Sequence, residues 1–125
     1  MTVSALAHAS LVVSDLTQAL NFYCGTLGLQ TCDRPDLGYP GAWLALASGQ
    51  QIHLLALLDS PDPVSDRRPG QDRHLAFSVS ELDSIVSRLT DAGVPFMHSR
   101  SGRQAVFCRD PDGNALEFIK GVASP

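Results

Sequence analysis

The chain has 125 residues, 44% of them hydrophobic, which suffices for one compact domain with a core and falls short of two independent ones. Its formal charge of -4, with arginines scattered rather than massed, leaves no electrostatic footprint for nucleic acid or an anionic membrane. No apolar stretch approaches the roughly 20 residues needed to span a bilayer, and the N-terminus lacks the basic segment and apolar core of a signal peptide, so the expected location is cytoplasmic.

The first predicted element is a strand from about Ala5 to Val13. Asp15 then caps a helix with an apolar face of Leu16, Ala19, Leu20, Phe22 and Tyr23, which Gly25 to Gly28 end. An extended segment around Leu29 to Cys32 follows, then a loop rich in Gly and Pro from Pro35 to Gly41. Two strands, Ala42 to Ala47 and Gln51 to Leu58, are joined by a turn at Ser48-Gly49. This first module, about residues 4–58, reads βαβββ. The stretch from Asp59 to Asp72, with its prolines and charges, reads as an exposed linker.

The second module, about 73–121, repeats the order. A strand from Arg73 to Val79 leads to a helix with Leu82, Ile85, Val86 and Leu89 on its apolar face, stopped at Asp91-Ala92-Gly93. Strands at about Val94 to His98, Gln104 to Arg109 and Ala115 to Lys120 follow. The last two are joined by Asp110-Pro111-Asp112-Gly113-Asn114, where Pro presets φ and Gly supplies positive φ. The repeat is visible in the letters: His8 aligns with His74, and Val13-Ser14-Asp15-Leu16 with Val79-Ser80-Glu81-Leu82, 66 residues apart. The fold class is α+β, two tandem βαβββ modules whose curved mixed sheets enclose a cup.

Each module places one polar residue at the head of its first strand and another late, inside an apolar run. These are His8 and His53 in the first module, and His74 and Glu117 in the second. A carboxylate within Leu116-Glu117-Phe118-Ile119 is costly to bury unless it is paired, protonated or bound to a cation. The expected metal ligands are therefore His8, His53, His74 and Glu117. Two or three imidazoles with one carboxylate suit iron(II), nickel, cobalt, manganese or zinc, whereas calcium and magnesium call for mostly oxygen ligands. His98 has no counterpart in the first module and reads as a loop or strand-edge residue, with pocket lining as the alternative. Cys24, Cys32 and Cys108 are odd in number and lack CxxC spacing, so they read as reduced packing residues.

At these residues the chain resembles the vicinal oxygen chelate superfamily, which includes glyoxalase I, extradiol dioxygenases, and fosfomycin and bleomycin resistance proteins. The resemblance runs from Ala7-His8 through Val13-Ser14-Asp15-Leu16, Phe22-Tyr23, Leu27-Gly28-Leu29, Ile52-His53-Leu54, Arg73-His74-Leu75-Ala76-Phe77 and Asp110-Pro111-Asp112-Gly113-Asn114 to Glu117-Phe118. It implies paired βαβββ modules, a divalent metal on the four matching positions, and a homodimer. Glyoxalase I typically has Arg four residues after the first ligand and Asn four after the second, both holding glutathione, and commonly Glu or Gln where His53 stands. Here those two places are Val12 and Leu57. Losing the guanidinium removes a charge-assisted contact of about 1.5 to 3 kcal/mol. Arg100 and Arg103, before the final hairpin, are candidate contacts for an anionic substrate, against the plainer reading of solvated loop arginines.

The expected function is a glyoxalase I-like lyase or isomerase on a small substrate whose vicinal oxygens chelate the metal, with an enediolate intermediate and Glu117 as the proton shuttle. An iron(II) extradiol dioxygenase using His8, His74 and Glu117 is the second reading, fosfomycin thiol transfer a third. A bleomycin-resistance-type binding protein is the non-enzymatic alternative.

Overall fold

A computed structural model describes residues 1–61, 63 and 65–121. The chain divides into two compact units, Met1–Pro61 and Asp62–Pro125.

In the first unit, strand β1 spans His8–Val12, helix α1 Leu16–Leu20, β2 Gln30–Cys32, β3 Gly41–Ala45 and β4 Gln51–Leu55. The sheet order is β1-β4-β3-β2, with β1 parallel to β4 and the other pairs antiparallel. Alternation divides the sheet into two faces. One carries Ala42, Leu44, Ile52 and Leu54, all buried, and the unit's core also holds Ala19, Phe22 and Tyr23 from the helical segment. The other carries His8, Ser10, Trp43, Gln51 and His53, because Ser10 and Trp43 both stand in register with His53.

Asp15 caps α1 as expected, its carboxylate accepting from the Gln18 amide at 3.0 Å. The helix does not continue as one α-helix: Asn21–Thr26 forms a π-helical turn, with the Leu27 amide donating to the Phe22 carbonyl at 2.9 Å. The wider turn brings successive side chains closer in angle, and adjacent Phe22 and Tyr23 are both buried. Gly28, at φ +81°, ends the segment in the left-handed region a side chain disfavours.

In the second unit a 3-10 turn at Pro69–Gln71 precedes β5 His74–Val79, α2 Leu82–Asp91, β6 Phe96–His98, β7 Ala105–Arg109 and β8 Ala115–Lys120. The sheet order β5-β8-β7-β6 repeats that of the first, again with one parallel pair, β5 with β8. Helix α2 packs on β8 with Leu89 fully buried, and Val106, Leu116 and Phe118 complete that layer. In the turn joining β7 to β8, Asp110 Oδ1 accepts from the amides of Asp112 and Asn114, both at 2.9 Å, and Gly113 takes φ +87°. That turn sets the register of β7 against β8, which puts Phe107 opposite Glu117, and the parallel pairing of β5 with β8 puts Ala76 on its other side.

Several expected boundaries shift for a common reason. β1 begins at His8 rather than Ala5 because β4, its sheet neighbour among the described residues of the first unit, begins at Gln51, opposite His8. β4 ends at Leu55, not Leu58, opposite Val12 and Gly41, although Ala56 and Leu58 still donate to the Pro40 and Val13 carbonyls at 3.0 and 3.2 Å. β3 starts at Gly41 and ends at Ala45 rather than Ala47, and β6 starts at Phe96 rather than Val94. The expected linker is not exposed along its whole length: Pro69 is buried, and Asp72 is ion-paired to Arg109 at 2.9 Å. Asp62 and Val64 of that linker lie outside the described residues. The three cysteines are free thiols, Cys108 buried and the others half-buried.

Candidate metal centre

His8 and His53 meet in the first unit, their rings stacked at 3.9 Å between centroids and 14° between planes. Trp43 covers the other side of His53 at 4.1 Å and 4°. The His53 ring is thus clamped between two flat neighbours and is only 9% exposed. Its Nε2 lies 2.8 Å from Gln51 Oε1, an oxygen that can only accept, so Nε2 carries the proton and Nδ1 the lone pair. Burial lowers the pKa of His53 from the ordinary histidine range, assisted by the positive charges of His8 and Arg34. The neutral imidazole so favoured is the form a metal binds. Arg34 is itself held by its hydrogen bond to the Tyr39 carbonyl at 2.9 Å and by its seat over the Tyr39 ring.

His74 and Glu117 meet in the second unit, Nε2 to Oε1 at 3.2 Å. The other ring nitrogen, Nδ1, donates to the Asp72 carbonyl at 2.8 Å. A neutral ring so arranged turns a lone pair toward a carboxylate oxygen, and two acceptors facing each other require a proton or a cation between them. Glu117 is 2% exposed, and its Oε2 has no hydrogen-bond partner among the described residues. The nearest cationic nitrogen, Arg103 Nη2, stands 3.5 Å away on a side chain 59% exposed, too distant and too hydrated to satisfy a buried carboxylate. An imidazole whose far nitrogen is tied to a carbonyl and a carboxylate with an orphaned buried oxygen are a donor set that a divalent cation completes. Among the described residues, no three or more His, Cys, Asp or Glu side chains gather as a group able to hold one ion.

A cavity of about 250 Å³ in the second unit includes His74 and Glu117 in its lining. Met97 and Phe107 supply apolar surface, the Phe107 ring standing edge-on to His74 at 5.5 Å. Arg68, Arg100 and Arg103 also line it, so both arginines singled out in the sequence, and one that was not, face the same space. Arg103 is steadied by Ser101, whose hydroxyl accepts from the Arg103 amide at 3.2 Å and from its Nε at 3.3 Å. His98, at the end of β6, lines the cavity too. Val12 and Leu57, at the positions that carry the glutathione-holding Arg and Asn in glyoxalase I, are exposed apolar residues.

Sequence reasoning missed Trp43, Gln51, Asp72 and Arg109. Gln51 is two residues before His53 on one strand and hence on its face, a signal available in the letters. Asp72 likewise stands two residues before His74, while Trp43 depends on strand register and Arg109 on long-range contact.

The profile of the Glyoxalase/Bleomycin resistance protein/Dioxygenase superfamily matches residues 5–118. The chain is 28% identical to "Glyoxylase I 4" of Arabidopsis thaliana over 135 residues, spanning 98% of this chain and 74% of that protein. It is 31% identical to "Glutathione transferase FosA" of Serratia marcescens over 125 residues, spanning 95% and 82%. A glyoxalase-family protein from Bacillus anthracis shares the fold, with a TM-score of 0.77 at 22% identity over 95% of this chain and 96% of that one. The chain belongs to the Glyoxalase/Bleomycin resistance protein/Dioxygenase superfamily, the vicinal oxygen chelate group.

Proposed function

We propose that the protein is a divalent-transition-metal enzyme of glyoxalase I-like type, a lyase or isomerase acting on a small substrate with two neighbouring oxygens. The metal ligands are His8, His53, His74 and Glu117, within a single domain that works as a homodimer. When bound, the ion supplies Lewis-acid polarisation of the substrate oxygens. Glu117 moves the proton, being the one carboxylate of the set, with an oxygen that no donor among the described residues occupies. Arg100 and Arg103 receive an anionic group of the substrate, and Met97 and Phe107 exclude water around it. The observation that carries this reading is the His74–Glu117 pair, a lone pair aimed at a buried carboxylate, an arrangement that makes chemical sense around a cation. The resemblance to "Glyoxylase I 4" supports placing this reaction class first.

The test is metal content of protein purified without chelator, for wild type, His74→Ala and Glu117→Gln, followed by turnover of 2-oxoaldehyde hemithioacetals. The expected result is one nickel, cobalt or zinc ion per chain, lost in His74→Ala, with turnover lost in Glu117→Gln. Full turnover in Glu117→Gln with metal retained overturns the proton-shuttle role. Iron with oxygen uptake on catechols replaces the lyase by a dioxygenase, and no metal even after reconstitution removes both enzymes in favour of a binding protein.

Thiol transfer is the second reading, favoured by the likeness to "Glutathione transferase FosA" and by three arginines lining one cavity. Consumption of a thiol with an electrophilic anionic substrate, and none with the hemithioacetal, decides for it.

A further inference from the structure

Arg109 ends β7, 16% exposed at its side chain, and binds three acceptors at once. Nη1 donates to Asp72 Oδ2 at 2.9 Å and to the Gly113 carbonyl at 2.8 Å, and Nη2 donates to the Arg67 carbonyl at 2.8 Å. One guanidinium therefore ties the turn after β7 to the segment that leads into β5. The other oxygen of Asp72, Oδ1, accepts from the Arg73 amide at 2.9 Å, so both carboxylate oxygens are engaged. With its side chain anchored at both ends, the Asp72 backbone is held so that its carbonyl accepts from His74 Nδ1 at 2.8 Å.

We propose that Arg109 is a positioning residue which, through Asp72, sets the tautomer of His74 and keeps its Nε2 open to a cation. The proposal rests on the reading of His74 as a metal ligand. The competing arrangement is specific. If Asp72 swings away, Nδ1 loses its acceptor and the proton moves to Nε2, where Glu117 Oε1 at 3.2 Å accepts it. That hydrogen bond satisfies both partners and closes the ring nitrogen to metal. Only the Nδ1–H form, which the Asp72 carbonyl selects, leaves a lone pair on Nε2. A lysine cannot substitute, because a single ammonium does not span acceptors that the planar guanidinium reaches from two nitrogens.

The test compares wild type with Arg109→Met, Arg109→Lys and the milder Asp72→Asn. The imidazole nitrogens of His74 are read by 15N NMR in metal-free protein at about pH 8, with His74→Gln providing the assignment. The expected result is a protonated Nδ1 of His74 in wild type, with or without a further proton shared between Nε2 and Glu117, and loss of the Nδ1 proton in both Arg109 variants, partial in Asp72→Asn. Zinc affinity, measured by competition with a chromophoric chelator, should fall about 10- to 100-fold in the Arg109 variants. A proton that stays on Nδ1 in folded Arg109→Met and Asp72→Asn overturns the proposal, including where affinity falls, since the loss is then structural. A tautomer switch in a protein that binds no zinc in any form supports the positioning role and refutes the metal reading.

Discussion

The indole of Trp43 and the imidazole of His53 lie 4.1 Å apart and within 4° of parallel, on antiparallel strands whose register sets them opposite each other. The stack removes one face of the imidazole from water, while His8 covers the other. Burial is the leading cause of the low pKa of His53. Shortening Trp43 to Ala should therefore change the pH dependence of stability as well as its size.

In metal-free wild type, the unfolded chain takes a proton on His53 at about pH 6.5, whereas the folded protein takes it at lower pH. At pH above both values the residue contributes nothing. As pH falls through the ordinary histidine range, stability is lost until the folded state protonates as well. Trp43→Ala should cost about 2 kcal/mol at pH 8, as a half-buried aromatic, and should lose less stability than wild type between about pH 7 and 5. Urea midpoints at the two pH values, in chelator, measure both effects, and an identical pH slope in the two proteins refutes the link.

The Cys108 thiol is 2% exposed, and burial, with a smaller contribution from the Asp110 charge, pushes its pKa up to about 12. Since the thiolate is the nucleophile, Cys108 should be unreactive toward iodoacetamide at neutral pH until the protein unfolds. Peptide mass mapping after native alkylation should find label at Cys24 or Cys32 before Cys108. Rapid native labelling of Cys108 would contradict its place in the core.

The repeat around His8 and His74 carried the fold, because each copy joins alternation, a corner residue and an amphipathic stretch in one order. Asp15 as helix cap and the Asp110–Asn114 turn were legible for the same reason: both are built from contacts a few residues apart. The His53 and Glu117 positions were also legible, since a polar side chain inside an apolar strand stands out locally. What holds them was not. Trp43 reaches His53 only through strand register, and Arg109 reaches Asp72 across 37 residues, a pairing to which no local pattern points. The buried Pro69 escaped notice because proline and charge in a connecting stretch describe composition, whereas the turn that holds it packs on β7 and β8, with Arg109 holding the Arg67 carbonyl beside it.

Gly41 opens β3 against β4, where a β-carbon would collide with the Leu54 carbonyl oxygen and sit 2.9 Å from an Arg34 guanidinium nitrogen. The carbonyl belongs to the sheet backbone and cannot yield cheaply. Gly41→Ala should therefore destabilise the protein by about 1 to 3 kcal/mol and displace Arg34 from Tyr39. Gly49→Ala has open space around its β-carbon, with strain arising from φ +92° alone, and serves as the comparison. Thermal melts of the two variants decide the point, and a Gly41→Ala protein as stable as wild type would show that the strand shifts freely.

Glu117 separates stability from function. Its carboxylate is 2% exposed, with one oxygen lacking a hydrogen bond among the described residues, so in metal-free protein it carries a desolvation cost that Arg103 at 3.5 Å only partly offsets. Methionine has similar volume and no polar atom to satisfy, and its neighbours Phe107 and Ala76 present apolar surface. Glu117→Met should therefore raise the metal-free stability by about 1 to 3 kcal/mol. Wild type should gain about 2.7 kcal/mol from free zinc at a hundred times its dissociation constant, and the variant should gain almost none. Chemical denaturation with chelator and with zinc gives both differences in one experiment. A destabilised metal-free variant would mean that Glu117 is held by protein contacts for structure, and an undiminished response to zinc would place the ion elsewhere.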